Sequence, residues 1–168
     1  MNIEDFDYNT LKGFCGKSFE PIIHPPIELR LDKLVPANLK LRWVPYYHFK
    51  IYKGDTEAGH VNFRVGNTAD IIETDGHIGY HINTHYRGQN FAYMACSLLF
   101  PFIKDHGFNA IILTCNPHNY ASQNTIKKLG GKLIKTQLFS EPLPDGDIER
   151  NIYHVSLSTA KTLAGKAS

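Results

Sequence analysis

The stretch HIGYHINTHYRGQNFAYMACSLLFPFIKDHG, residues 77–107, changes its hydrophobic period midway, and that change decides the fold class. HIGYHI at 77–82 follows the turn pair Asp75-Gly76 and has the composition of a strand. NTHYRGQN at 83–90 is polar, carries a glycine and reads as a loop. From there Phe91, Met94, Ala95, Leu98, Leu99, Phe102 and Ile103 recur at helical spacing, and Gly107 supplies a left-handed stop. Pro101 lies inside that helix, removes a donor and predicts a kink or a frayed last turn. Strand, loop and amphipathic helix in direct succession indicate an α/β fold.

Working outward, YYHFKIYK at 46–53 and EAGHVNFRV at 57–65 are aromatic and β-branched runs around Gly54-Asp55-Thr56, the pattern of a hairpin. IELRL at 27–31 alternates as a strand, and Leu34 to Trp43 is expected to hold a short helix bounded by Pro36 and Pro45. The first half is therefore an antiparallel meander. On the other side, AIILTC at 110–115 is a continuous apolar run, expected to be a central strand covered on both faces. Asn119 is placed to cap a second helix in which Ser122, Ile126 and Leu129 share a face, with Lys127 and Lys128 near its C-terminus and Gly130-Gly131 ending it. KLIKTQLFS and RNIYHVSLS read as two final strands around a proline-bearing loop at 141–149. The expected organisation is an N-terminal arm over 1–26, one domain over 27–158 and a polar tail over 159–168. Its sheet is mixed, mostly antiparallel and flanked by helices.

Composition excludes several function classes. The chain has 168 residues, 42% hydrophobic and 20% charged, which suits one compact domain. A net charge of +2 names neither nucleic acid nor an anionic membrane as partner. No apolar run approaches the ~18 residues that span a bilayer, and the acidic start MNIEDFDYNT is unlike a signal peptide, so a cytoplasmic location is expected. Cys15, Cys96 and Cys115 are far apart, lack a C-x-x-C pair and read as free thiols. His77, His81 and His85 sit at i, i+4, i+8, but on a strand four residues span ~13 Å, too far for two imidazoles to share one ion; no metal is expected.

The chemistry is expected at the loop. A helix start exposes unpaired N–H groups at the positive end of the dipole, so YRGQNFA at 86–92 is suited to a phosphate or pyrophosphate. Arg87 adds a cation, and Gly88 allows backbone to come close. This loop, preceded by IGYHI and followed by NYASQNTIKKLGG, resembles the GNAT superfamily of acetyl-CoA-dependent N-acetyltransferases over roughly residues 46–157. The later Asn-x-x-Ser helix is similar to the branch that includes ribosomal-protein alanine acetyltransferases and several small-molecule acetyltransferases. The resemblance implies that Arg87, Gly88, Gln89, Asn90, Phe91 and Ala92 wrap the coenzyme A pyrophosphate. It also implies backbone contacts from His81 and Ile82, contact of Asn119 with the pantetheine arm, and Ser122 facing the thiol. The strands before and after the helix would then splay to admit acetyl-CoA.

The chain departs from the family pattern in three places. Asn90 replaces the second loop glycine; it is able to cap the helix and to tolerate an unusual φ. Ile126 stands where many relatives carry a tyrosine that protonates the departing thiolate, so Ser122 becomes the substitute candidate, directly or through water, with Tyr120 next. The usual N-terminal helical pair is reduced to the stretch 32–45, leaving an acceptor cleft either open or closed by a second subunit of a homodimer. Glu73 and His81 are the candidate general bases, since attack needs a neutral amine. The implied function is direct acetyl transfer to a primary amine, of a small molecule or a protein N-terminus. The alternatives are another acyl-CoA donor and a coenzyme A sensor or interaction module with little turnover.

Overall fold

The computed structural model describes residues 20–158. Most of the expected arm, the tail and Cys15 lie outside that range. A five-stranded antiparallel sheet runs in chain order through β1 (Ile22–His24), β2 (Ile27–Val35), β3 (Tyr46–Lys53), β4 (Thr56–Arg64) and β5 (Ile78–Ile82). After β5 come α1 (Phe91–Asp105), β6 (Ala110–Cys115), α2 (Tyr120–Lys128), β7 (Lys132–Leu138) and β8 (Glu149–Ser156). The last three strands form a second antiparallel sheet ordered β6-β8-β7.

Strand alternation builds the core. Tyr47, Phe49 and Ile51 of β3 and Val61 and Phe63 of β4 are buried on one face, while their neighbours His48, Lys50, Asn62 and Arg64 turn to the other. The buried rings meet Ala95, Leu99, Phe102 and Ile103 of α1, with Phe102 edge-on to Tyr47 and Phe49. Each such ring contributes about 1.5–3 kcal/mol by leaving water. α1 continues through Pro101 to Asp105. The proline costs the helix one N–H donor, to the Ser97 carbonyl one turn back.

Two expectations are corrected. The stretch 34–43 forms no α-helix: β2 continues to Val35, which pairs with Tyr46, and only a 3-10 turn at Leu39–Leu41 follows, closed by the Asn38–Trp43 bridge. Cross-strand pairing with β3 outcompetes a weak helical pattern caught between two prolines. β6 is buried as expected but lies at an edge of its own ladder, paired with β8 alone. Its apolar run is explained by the layers above and below it.

No ladder joins β5 to β6, so the sheets separate there as the expected splay requires. They are clipped at the root by His77. Its N–H donates to the Ile112 carbonyl, and the Ile112 N–H donates to its Nδ1, each at 2.8 Å. Nε2 lies 2.9 Å from Asn67 Oδ1. A ring that accepts at Nδ1 and donates at Nε2 is neutral. Burial enforces this, pushing His77 down to about 4.

The ring binds a proton less readily folded than unfolded, so its contribution is complete above the ordinary histidine value of about 6.5 and is lost as pH falls toward 4. That difference corresponds to roughly 3 kcal/mol. Urea unfolding at pH 7.5, 5.5 and 4 should show this loss, and His77→Phe should flatten it. The variant should also lose about 1–3 kcal/mol at pH 7.5, because the Ile112 N–H is left unbonded. Equal pH slopes for the two proteins would contradict the assignment.

Candidate active site

The open end of the split holds a cavity of about 530 Å³ bounded by Tyr80, His81 and Ile82 of β5, the loop from Tyr86 to Ala92, and α2 from Asn119 to Lys128. Its floor is the start of α1. Gly88 has φ +77°, a conformation disfavoured for residues bearing Cβ, and a Cβ added there would meet no atom within 4 Å. Asn90 is also left-handed, at φ 61°, which asparagine tolerates. The expected capping by its side chain is not made: Asn90 Oδ1 accepts from Lys128 Nζ at 2.6 Å instead. The first amides of α1 therefore have no side-chain acceptor, and the positive end of the helix dipole faces the cavity.

Arg87, exposed at the rim, donates from Nε to the Ile82 carbonyl at 3.0 Å, which fastens the loop to the end of β5. Phe91 is 2% exposed and stacks on Tyr86, so only its backbone serves the cavity. Asn119 caps α2 by accepting from the Ser122 N–H at 3.1 Å, which leaves its side-chain amide free to donate. Ser122 lies in the same wall. His81, Ile82, Arg87, Gly88, Asn90, Phe91, Ala92, Asn119 and Ser122 thus line one cavity.

Gln89 and Glu73 lie elsewhere. Gln89 turns to β3, where its Oε1 accepts from Lys53 Nζ at 3.1 Å. Glu73 is exposed on a π-helical turn, Ile71–Asp75, whose neighbours Thr74 and Asp75, and not Glu73, line a separate cleft. Ile126 is 1% exposed and packs under Gly131, too deep to reach the cavity. Tyr120 is 68% exposed and lies outside it.

Among the lining residues that the sequence reading does not assign to the site are Tyr80, Thr125 and Lys128. Tyr80 is the alternation partner of His81 on β5, and Thr125 stands one helical turn beyond Ser122, so two spacings already in view would have found them. Lys128 had been read as a dipole-opposing residue only.

The second cleft, about 610 Å³, lies on the other face of the first sheet and contains Arg64, Asp70, Asp75 and Arg150. Arg42 pairs with Asp70 at 2.8 Å, and Arg150 pairs with Asp145 and Asp147. Arg64 Nη1 donates to the carbonyls of Asp75 and Gly76 at 3.0 and 3.1 Å. Gly79 admits that guanidinium, since a Cβ there would lie 2.9 Å from Nη2. On the same face the His81 imidazole stacks on His60 at 5.6 Å between ring centres, and His60 lies 5.1 Å from His48. Burial lowers the His60 pKa, and the neighbouring imidazoles lower it further. Cys96 and Cys115 are buried thiols pushed up to about 12 and 11, so neither supplies a thiolate at neutral pH.

An open glycine, uncapped amides and two cations, Arg87 and Lys128, suit a ligand carrying phosphates at the loop. The carbonyl-rich split suits one carrying amides between the strands. The fold recurs in solved structures. RimL, the ribosomal L7/L12 α-N-protein acetyltransferase solved with coenzyme A, superposes with a TM-score of 0.62 at 14% identity, covering 82% of this chain and 98% of that one. The ribosomal-protein-S5-alanine acetyltransferase of Vibrio fischeri superposes at 0.63 with 11% identity, covering 84% and 99%. The microcin C7 self-immunity acetyltransferase MccE, solved with acetyl-CoA and AMP, superposes at 0.55 with 22% identity over 66% and 61%. No curated protein matches the sequence. The family model described as acetyltransferase (GNAT) domain matches residues 32–132, which include β3 to β5, the loop, both helices and the clip between the sheets. On that match the chain belongs to the GNAT acetyltransferase family.

Proposed function

We propose that this protein transfers an acetyl group from acetyl-CoA to a primary amine, with the amine entering from the Arg64 cleft and the donor lying in the split between β5 and β6. The observation that carries the reading is the uncapped start of α1, opening with Gly88 and flanked by Arg87 and Lys128. These groups hold the donor's pyrophosphate. The free edges of β5 and β6 and the Asn119 amide meet its amide-bearing arm, which delivers the thioester to the wall containing Ser122.

Attack is direct, because the buried cysteines stay protonated and neither lines the cavity. His81 is the base that keeps the amine neutral. It sits on the strand that separates the two clefts, and its stacking on His60 holds the ring in place. Glu73, exposed and outside both clefts, is not assigned that role. The bond from nitrogen to the acetyl carbon forms as the carbon–sulfur bond breaks, and Ser122 donates a hydrogen bond to the leaving sulfur. Asp75 in the cleft attracts the ammonium form of the acceptor. The acceptor is a small amine or the N-terminus of a peptide.

Calorimetry with coenzyme A tests the donor site. Gly88→Val should weaken binding at least tenfold with an unchanged circular dichroism spectrum, because a β-branched residue resists the left-handed conformation and fills the approach to the backbone. Lys128→Glu should weaken binding more at low salt than at high. Coenzyme A affinity unchanged in both variants would refute the site.

A panel of small amines and short peptides with N-terminal alanine or serine tests the acceptor and the base together. His81→Gln should lower kcat/KM by about 100-fold on any accepted amine while leaving coenzyme A affinity alone. Wild-type rates in that variant would remove His81 from the reaction.

A further inference from the structure

The hydroxyl of Tyr80 is a polar atom that neither the fold nor the reading above has used. β5 alternates so that Tyr80, paired across the ladder with buried Val61, turns to the helix side of the sheet and packs against the core. Its ring lines the donor cavity opposite Ser122 and Thr125, which share one face of α2 at i, i+3 spacing. Oη is shut off from water and meets no partner in good hydrogen-bond geometry, although the Ser122 and Thr125 hydroxyls lie close enough to bond it weakly. Leaving a hydroxyl so is costly, and an unused donor at a cavity wall calls for a reason. The hydroxyls of Ser122 and Thr125 stand near enough to act on its titration, yet burial dominates and pushes Tyr80 up to about 12. At neutral pH it remains a phenol with one proton to donate.

We propose that Tyr80 is a positioning residue: on binding of the donor its O–H turns onto Ser122 Oγ and directs the serine's own proton toward the leaving sulfur. This rests on the acetyl-transfer reading and deepens it. A serine hydroxyl rotates freely unless something occupies its lone pairs. A donor behind it occupies one lone pair and turns its proton toward the cavity side. As the amine nitrogen bonds to the acetyl carbon, the sulfur departs with the electron pair of the carbon–sulfur bond and accepts the Ser122 hydrogen bond. The amine sheds one proton to His81, and the thiolate takes one up from water on release, so the exchange balances.

The test uses coenzyme A itself and needs no acceptor. A serine fixed as donor stabilises the thiolate, so the thiol of bound coenzyme A, titrated by its ultraviolet absorbance, should ionise at lower pH in the wild type than in Tyr80→Phe, by about one unit. Ser122→Ala should give a similar shift, and the double variant no more than either alone, the mark of two groups acting as one. The melting temperature of the ligand-free Tyr80→Phe protein should change by no more than a degree or so, because no well-formed native hydrogen bond is lost. A bound thiol that titrates alike in wild type and Tyr80→Phe, additive shifts, or a drop of several degrees in melting temperature would each overturn the proposal. Coenzyme A that binds with an unshifted thiol overturns this inference alone. Coenzyme A that does not bind overturns the acetyl-CoA reading with it.

Discussion

The site depends on two sheets being joined at one end and apart at the other. His77 performs the joining, with one imidazole nitrogen and one backbone N–H spent on Ile112 and the second nitrogen on Asn67. Thr114 reinforces it by donating to the Thr74 carbonyl at 2.7 Å. Beyond these contacts β5 and β6 part, and each keeps a row of backbone groups without a ladder partner. Such edges are costly when buried dry and invite strand pairing when exposed. A ligand with amides along its length satisfies them. The histidine must be neutral to hold the clip, so the architecture of the cavity is tied to the protonation state of one ring.

At the other end of the cavity the sequence leaves the first helix without a side-chain cap. Asn90 holds a left-handed conformation that turns the chain into α1, and its side chain is drawn away to Lys128. That contact ties the glycine loop to the C-terminal turn of α2. It also brings an ammonium beside amides that already carry partial positive charge, an arrangement unfavourable to an empty protein and favourable once an anion is bound.

β5 separates two chemistries by its alternation. Tyr80 faces the donor cavity, whereas Gly79 is bare so that the Arg64 guanidinium can cross it on the opposite face, and His81 stacks on that face over His60. One residue of register thus divides the loop-side cavity from the Arg64 face. A slip by one position would place a histidine among the core aromatics and a tyrosine in the polar cleft, which the buried pairing with Val61 forbids.

Period and punctuation in the chain were enough for the meander, the order of elements, both helices and the loop at 86–92, because each rests on neighbours within a few residues. The glycine turn that leads into α1 was readable for the same reason: a loop at a helix start is local geometry. The stretch 34–43 was misread because pairing of β2 with β3 is settled by residues that lie a dozen positions away in sequence. The edge position of β6, the retreat of Glu73 and Gln89 from the site, the burial of Ile126 and the meeting of Tyr80 with Ser122 across 42 residues of chain were decided only by tertiary packing. They depend on which faces of separate elements come together, and no local pattern carries that information.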